Sequence, residues 1–296
     1  MNDDDLISLG DSGTSHRKLA KDLGWTIGKF AGKLRDARKR KVKVLPRILT
    51  FDIETSLMRV YCWRTGDNYI GPKNIIEDWY VHCWAAKWLG EDKIMHAVQT
   101  SSEAKQNDDK RVVKKMWKLI NEADIVVGHN IKQFDLKKLN WRWLIHGLDE
   151  PMHYKPVDTL TIARGKFGAS SRALDYLTKE LKIPNKTSTN YDLWKACDRG
   201  EAKALKKMDT YCQNDILINE ALYIRMRGWA STHPNLGLYA EEQVCRNCAS
   251  PDIVPQLKLA ATPANKYRTY RCSKCGKAGR YKQSTITAED RKRLTV

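Results

Sequence analysis

Residues 47–55 read RILTFDIET, residues 125–135 read IVVGHNIKQFD, and residues 211–215 read YCQND. The first run is a strand: Ile48, Phe51 and Ile53 are β-favouring residues that follow Pro46. Residues two apart on a strand point the same way, so Asp52 and Glu54 face one site. In the second run a short apolar strand, 125–127, leads directly into GHNIKQFD. That places Asp135 at a strand end or helix start, where function sits in open α/β sheets. In the third run Tyr211 and Asp215 are four apart and share one helix face.

Outward from these runs, 80–87 and 93–98 read as further strands. Residues 109–123 form an amphipathic helix with Val112, Val113, Met116, Leu119 and Ile120 inward. Helices are expected over 134–146 and over 170–181, the latter with Leu174, Leu177 and Leu181 on one stripe. A long helical region covers 201–229. Strands first, then helices interleaved with a strand, predict a mixed α/β sheet layered with helices.

Asp52 and Glu54 lie close enough to repel unless a cation neutralises them. Hard oxygen ligands suit Mg²⁺ or Mn²⁺, and four carboxylates can hold two such ions. Two ions roughly 3.5–4 Å apart activate a water and stabilise the leaving oxygen of a phosphodiester. Each run alone is weak; their order and neighbours carry the reading.

Together FDIET, GHNIKQFD with Leu139 and Arg142, and YCQND resemble the three motifs of the DEDD superfamily of ribonuclease-H-like 3′–5′ exonucleases. VDTLTIAR (157–164) and RALDYLTKEL (172–181) resemble the stretch between the second and third motifs. The likeness is to the proofreading domains of family-B DNA polymerases and their free-standing phage and archaeal relatives. Thr210 stands where one branch of that superfamily has histidine, so the Tyr-x-x-x-Asp branch is indicated. The resemblance implies that Asp52, Glu54, Asp135 and Asp215 bind two Mg²⁺ or Mn²⁺ ions. It implies that Tyr211 orients the attacking water. Asn130 would fix the second motif or contact substrate, Thr55 would also contact substrate, and Phe134 would pack.

Cys245-Arg-Asn-Cys248 and Cys272-Ser-Lys-Cys275 are two CxxC knuckles 23 residues apart, with room for a hairpin between. Four thiolates suit one tetrahedral, structural Zn²⁺, and the pattern resembles a zinc ribbon. Cys62, Cys83, Cys197 and Cys212 show no ligand spacing and are expected as buried thiols.

The formal charge of +18 is uneven. Residues 16–47 carry a net +10 and residues 266–296 a net +8, around a nearly balanced middle. Basic arms of this kind suit phosphate binding. Within the first arm, Leu19, Ala20, Leu23, Ile27, Phe30, Ala31 and Leu34 fall near helical spacing, broken at Gly24, with Thr26 as a cap. This resembles a helix-turn-helix.

The modules are therefore an acidic N-terminus with that basic helical unit (1–45), a nuclease domain (46–232), a zinc ribbon (241–285) and a basic tail (286–296). No window approaches the ~18 apolar residues of a membrane span. The opening Met-Asn-Asp-Asp-Asp is unlike a signal peptide, so a cytoplasmic location is expected. Nucleic acid is the expected partner, DNA favoured over RNA, with no membrane; no motif names a replication or repair protein. An endonuclease on the same fold, or a DNA-binding regulator with a nuclease-like scaffold, are the alternatives. Trp141 and Trp143 are open between core and base-stacking roles.

Overall fold

The computed structural model describes residues 1–41, 45–67, 69–183 and 189–294. Lys43 of the first basic arm and the last two residues of the tail lie outside them.

Three helices come first: α1 (Asp3–Gly10), α2 (His16–Asp22) and α3 (Ile27–Lys41). Leu6, Leu19, Ala20, Phe30, Leu34 and Ala37 close a small core of their own. The turn between α2 and α3 uses Gly24 at φ +65°, and Thr26 Oγ1 accepts from the Lys29 N–H at 3.1 Å as the cap of α3. Ile27, expected inward, is exposed.

The main sheet is built from β1 (Ile48–Thr55), β4 (Val81–Trp88), β5 (Ile94–Val98), β6 (Ile125–Gly128) and β7 (Lys155–Asp158). Between β1 and β4 the chain makes an excursion that pairs β2 (Arg59–Val60) with β3 (Ile75–Glu77). The strand order is β5-β4-β1-β6-β7. β1 runs antiparallel to β4 and parallel to β6, and β6 parallel to β7. The expected mixed sheet layered with helices is thus present. Pro156 sits in β7, an edge strand, where a missing N–H costs no ladder bond.

Helices α4 (Ser101–Lys105), α5 (Lys110–Glu122) and α6 (Asp135–Ile145) follow, with α7 (Thr159–Lys166), α8 (Leu174–Glu180), α9 (Tyr191–Asp198) and the long α10 (Ala202–Met226). Because β1 alternates, Leu49, Phe51 and Ile53 meet Val112, Val113 and Met116 of α5 and Leu136, Leu139 and Trp143 of α6. The opposite face meets α10. Near its N-terminal half Cys83 and Ala85 of β4 contact Met208, Cys212 and Ile216, and near its C-terminal half Ile48 joins Leu222 and Met226. Trp143 is core, its Nε1–H donating to the Val113 carbonyl at 2.9 Å, whereas Trp141 is half exposed.

Beyond a 3₁₀ turn at Arg227–Trp229, strands β8 (Ile253–Thr262), β9 (Asn265–Cys272) and β10 (Ala278–Ser284) form a separate three-stranded sheet, and α11 (Ala288–Lys292) follows. The cysteine module is seated on the end of α10. Asn247 Nδ2 donates to the Arg227 and Ala230 carbonyls at 2.6 and 3.2 Å. A Cβ on Gly228 would stand 2.2 Å from the Cys275 carbonyl oxygen, so only glycine permits this approach.

Candidate active site

Three of the expected carboxylates meet. Oxygens of Asp52, Glu54 and Asp215 lie within 4.8 Å of one another. The sheet supplies two of them: Asp52 and Glu54 stand on the α10 side of β1, opposite Ala85 and Cys83 of β4. Those two neighbours are small and fully buried, which lets α10 come close. Cys212 Sγ lies 3.6 Å from the Asp52 carbonyl oxygen and so marks where helix and strand touch. Lys87 Nζ holds both oxygens of Glu220 at 2.8 Å and fastens the same helix two turns further on. Asp215 and Tyr211 are buried on one face of α10, and the Tyr211 ring packs edge-on against Trp194 at 6.2 Å.

At an effective dielectric constant of about 20, two unit charges 4.8 Å apart repel by roughly 3 kcal/mol. A divalent cation held among the three oxygens would offset that repulsion. Oxygens about 2.1 Å from an octahedral Mg²⁺ stand between about 3 and 4.2 Å apart, which this cluster can meet. The donor set, all carboxylate, fits a hard divalent ion.

Asp135 is the first residue of α6 and is buried. It does not lie within that common distance of all three others. β1 pairs with β6 only as far as Thr50, and beyond that point the Ile53 N–H donates to Asp135 Oδ1 at 3.1 Å. Burial pushes the Asp135 carboxyl up to about 7, against the pull of its own N–H and that of Ile53, and the nearby Asp158 adds a smaller push upward.

The turn between β6 and α6 depends on Gly128 and Asn130 within the second motif and on Asp158 outside it. Gly128 has no room for a Cβ, which would meet Ile131 Cγ2 at 2.3 Å and the Phe51 carbonyl oxygen at 2.8 Å. Asn130 adopts φ +66°, a conformation asparagine tolerates. Its N–H donates to Asp158 Oδ1 at 3.0 Å, and the Lys132 N–H to Asp158 Oδ2 at 3.2 Å. Asp158 also caps α7 through the Leu160 N–H. The sequence reading did not single out Asp158; its signal was an aspartate ending a strand just before a helix.

Thr55 follows a register shift at Glu54 and pairs with Val81 at the end of β1. Phe134, expected to pack, is 37% exposed beside Asp135. Lys138 Nζ lies between the Phe134 ring (5.0 Å) and the Trp79 ring (3.6 Å). Arg142 turns away from the carboxylates: it forms a two-pronged pair with the buried Asp109, which also accepts the Val81 N–H at 2.9 Å. Among the other cysteines, Cys83, Cys197 and Cys212 are buried, but Cys62 is exposed because it lies on the β2–β3 excursion.

The four remaining cysteines gather as a second cluster. Cys245 and Cys275 have sulfurs 3.6 Å apart, as do Cys248 and Cys272. All four ligand atoms lie within 4.8 Å of one another. Sulfurs around a tetrahedral zinc at ~2.3 Å stand about 3.8 Å apart, so the set has zinc's dimensions. A cavity of about 850 Å³ between α8, the end of α10 and Lys274–Gly276 lies away from the carboxylates.

A family model described as the RNase_H superfamily matches residues 80–227, half of the chain. The chain belongs to the ribonuclease H superfamily. Ribonuclease-H-like membership carries metal-dependent nuclease chemistry on nucleic acid, and the acidic cluster is one that could hold a metal ion. The ribonuclease H match takes in Asp135, Tyr211 and Asp215 and begins after Asp52 and Glu54. A comparison with curated proteins found no match. Among the described residues, no helix is long and apolar enough to cross a membrane.

Proposed function

We propose that this chain is a metal-dependent 3′–5′ exonuclease of the tyrosine-type DEDD branch, removing nucleotides from DNA strand ends. The observation that carries the reading is the meeting of Asp52 and Glu54 with Asp215 on the helix that also bears Tyr211 four residues earlier. Divalent ions at such a cluster supply Lewis-acid stabilisation of a phosphodiester and an activated water. In this reading each residue has its own task. Asp52, Glu54 and Asp215 hold the ions, with Asp135 joining them once ionised. Tyr211 directs its hydroxyl toward the attacking water, a positioning task. Asp158 and Asn130 hold the turn that presents Asp135, and Thr55 lies at the substrate end of β1. Water adds to phosphorus, the bond to the 3′ oxygen of the preceding nucleotide breaks, and a nucleoside 5′-monophosphate leaves.

In this reading residues 46–232 form the nuclease domain. Residues 1–45 and 241–285 hold nucleic acid beside it, and Cys245, Cys248, Cys272 and Cys275 take one structural zinc. DNA is favoured by the polymerase-like motifs. The test is incubation with end-labelled single- and double-stranded DNA and RNA, with Mg²⁺, Mn²⁺ or EDTA. Stepwise shortening of DNA from the 3′ end, stopped by EDTA, is expected. Internal cuts from the earliest time point would replace the exonuclease reading with an endonuclease.

A further inference from the structure

Between Ser56 and Tyr80 the chain leaves the sheet and returns. Its base is closed by the Ser56 N–H donating to the Tyr80 carbonyl at 2.8 Å and the Tyr80 N–H to Ser56 Oγ at 2.9 Å. Ser56 is two residues from Glu54, so the excursion rises from the edge of the carboxylate cluster. Its β2–β3 pairing is held by the Arg59–Glu77 ion pair and by Asn74, which exchanges hydrogen bonds with the Tyr61 backbone.

What this short ribbon displays is aromatic. Trp63 is fully exposed, Tyr69 is 93% exposed and Tyr61 72%, while Trp84, Trp88 and Trp143 of the same chain are buried. Three exposed aromatic rings within nine residues of sequence offer a candidate binding surface. Arg64 and Lys73 interleave with the three rings, in a stretch that also carries Asp67 and Asp78 beside the Arg59–Glu77 pair. At the base of the excursion Lys138 of α6 lies over the Trp79 ring, and Phe134 is partly exposed beside Asp135.

Without ions a cluster of three carboxylates repels a polyanion, and even with them it grips only the scissile phosphate, so the rest of a strand end is held by other groups. Flat exposed rings answer that need, because every base has a face on which to stack. We propose that the 56–80 excursion is a platform for single-stranded nucleic acid, with Tyr61, Trp63 and Tyr69 stacking bases and the interleaved cations meeting phosphates. This rests on the nuclease reading of the adjacent site.

Binding in EDTA tests it without any hydrolysis, using fluorescence anisotropy of a labelled oligothymidylate and of an abasic strand of equal length. Trp63→Ala with Tyr61→Ala weakens oligothymidylate binding by about tenfold or more. Trp63→Phe retains most of it, and the abasic strand binds wild type and the double variant alike. Both rings are exposed, so the variants keep their fold, which circular dichroism verifies. Equal binding of oligothymidylate by wild type and the double variant overturns the platform. So does an equal loss on the abasic strand, which would show a charge effect without stacking. Failure of wild type to shorten DNA with Mn²⁺ is a separate result that strikes the nuclease reading, whereas the anisotropy series decides the platform.

Discussion

The Ile53 N–H donates to Asp135 Oδ1 at 3.1 Å, so the carboxylate that opens α6 occupies the place where β6 would have continued beside β1. That position is buried, and burial, with Asp158 nearby, holds the carboxyl up at about 7 instead of 3.8. Below 3.8 the group is protonated whether the chain is folded or unfolded. Between 3.8 and about 7 the folded chain keeps a proton that the unfolded chain releases. Stability of the metal-free protein therefore falls as pH rises through that window. Denaturant titrations in EDTA from pH 4 to 8 read this slope, Asp135→Asn flattens it, and Mn²⁺ restores stability at the upper end. Identical slopes for the variant and wild type would sink the assignment.

Asp215 is buried with its oxygens close to those of Asp52 and Glu54, and its replacement separates activity from stability. Asp215→Asn is expected to lower kcat/KM on DNA by about two orders of magnitude or more, through loss of an ion-holding oxygen. The same change relieves repulsion, so the metal-free variant is more stable than wild type by about 1–3 kcal/mol. Tyr211→Phe lowers kcat while leaving Mn²⁺ binding near wild type. Thermal melts in EDTA, calorimetric metal titration and single-turnover kinetics check the set; a destabilised, fully active Asp215→Asn protein would refute it.

Arg142 and Asp109 form a pair in which the aspartate is fully buried and the arginine nearly so. The same carboxylate accepts from Val81 at the start of β4 and lies 2.6 Å from His146 Nε2. Removing one partner leaves a buried charge, so Arg142→Ala costs about 3–5 kcal/mol. Urea midpoints measure this. A loss below about 1 kcal/mol would show that Arg142 acts elsewhere, for example at substrate.

Gly228 lets the Cys275 carbonyl approach the end of α10. Gly228→Ala forces the two apart, an overpacking cost of about 1–3 kcal/mol. One zinc per chain is expected by elemental analysis of wild type purified without chelator. In Gly228→Ala the cysteine module should release its zinc to a chelator faster, while the nuclease core keeps its melting temperature to within a few degrees. Zinc-free wild-type protein would contradict the four-cysteine site.

Much of the site lay in patterns confined to single elements. Alternation along RILTFDIET places Asp52 and Glu54 on one face, four-residue spacing does so for Tyr211 and Asp215, and two CxxC turns pair the knuckle sulfurs. Period and spacing report on one strand, helix or turn at a time, which is also why the mixed layered sheet could be read. The same logic fails for pieces too short to have a period. β2 and β3, of two and three residues, carry no such signal, and Pro156 hid β7. At 170–173 the expected helix does not start, because Ser171 Oγ takes the Ala173 N–H at 3.2 Å and offers the backbone another partner.

The residues alone therefore determined which groups are candidates and how each element presents them. The tertiary structure decided who meets whom. It brought Asp215 to a strand some 160 positions earlier, engaged Asp135 with the Ile53 N–H, buried Arg142 against Asp109 and left the rings of Tyr61, Trp63 and Tyr69 in solvent. These outcomes depend on how α10 crosses the sheet, on where β6 stops pairing with β1, and on a ribbon too small to bury its own side chains. None of them is a property of neighbouring residues, so no local pattern encodes them.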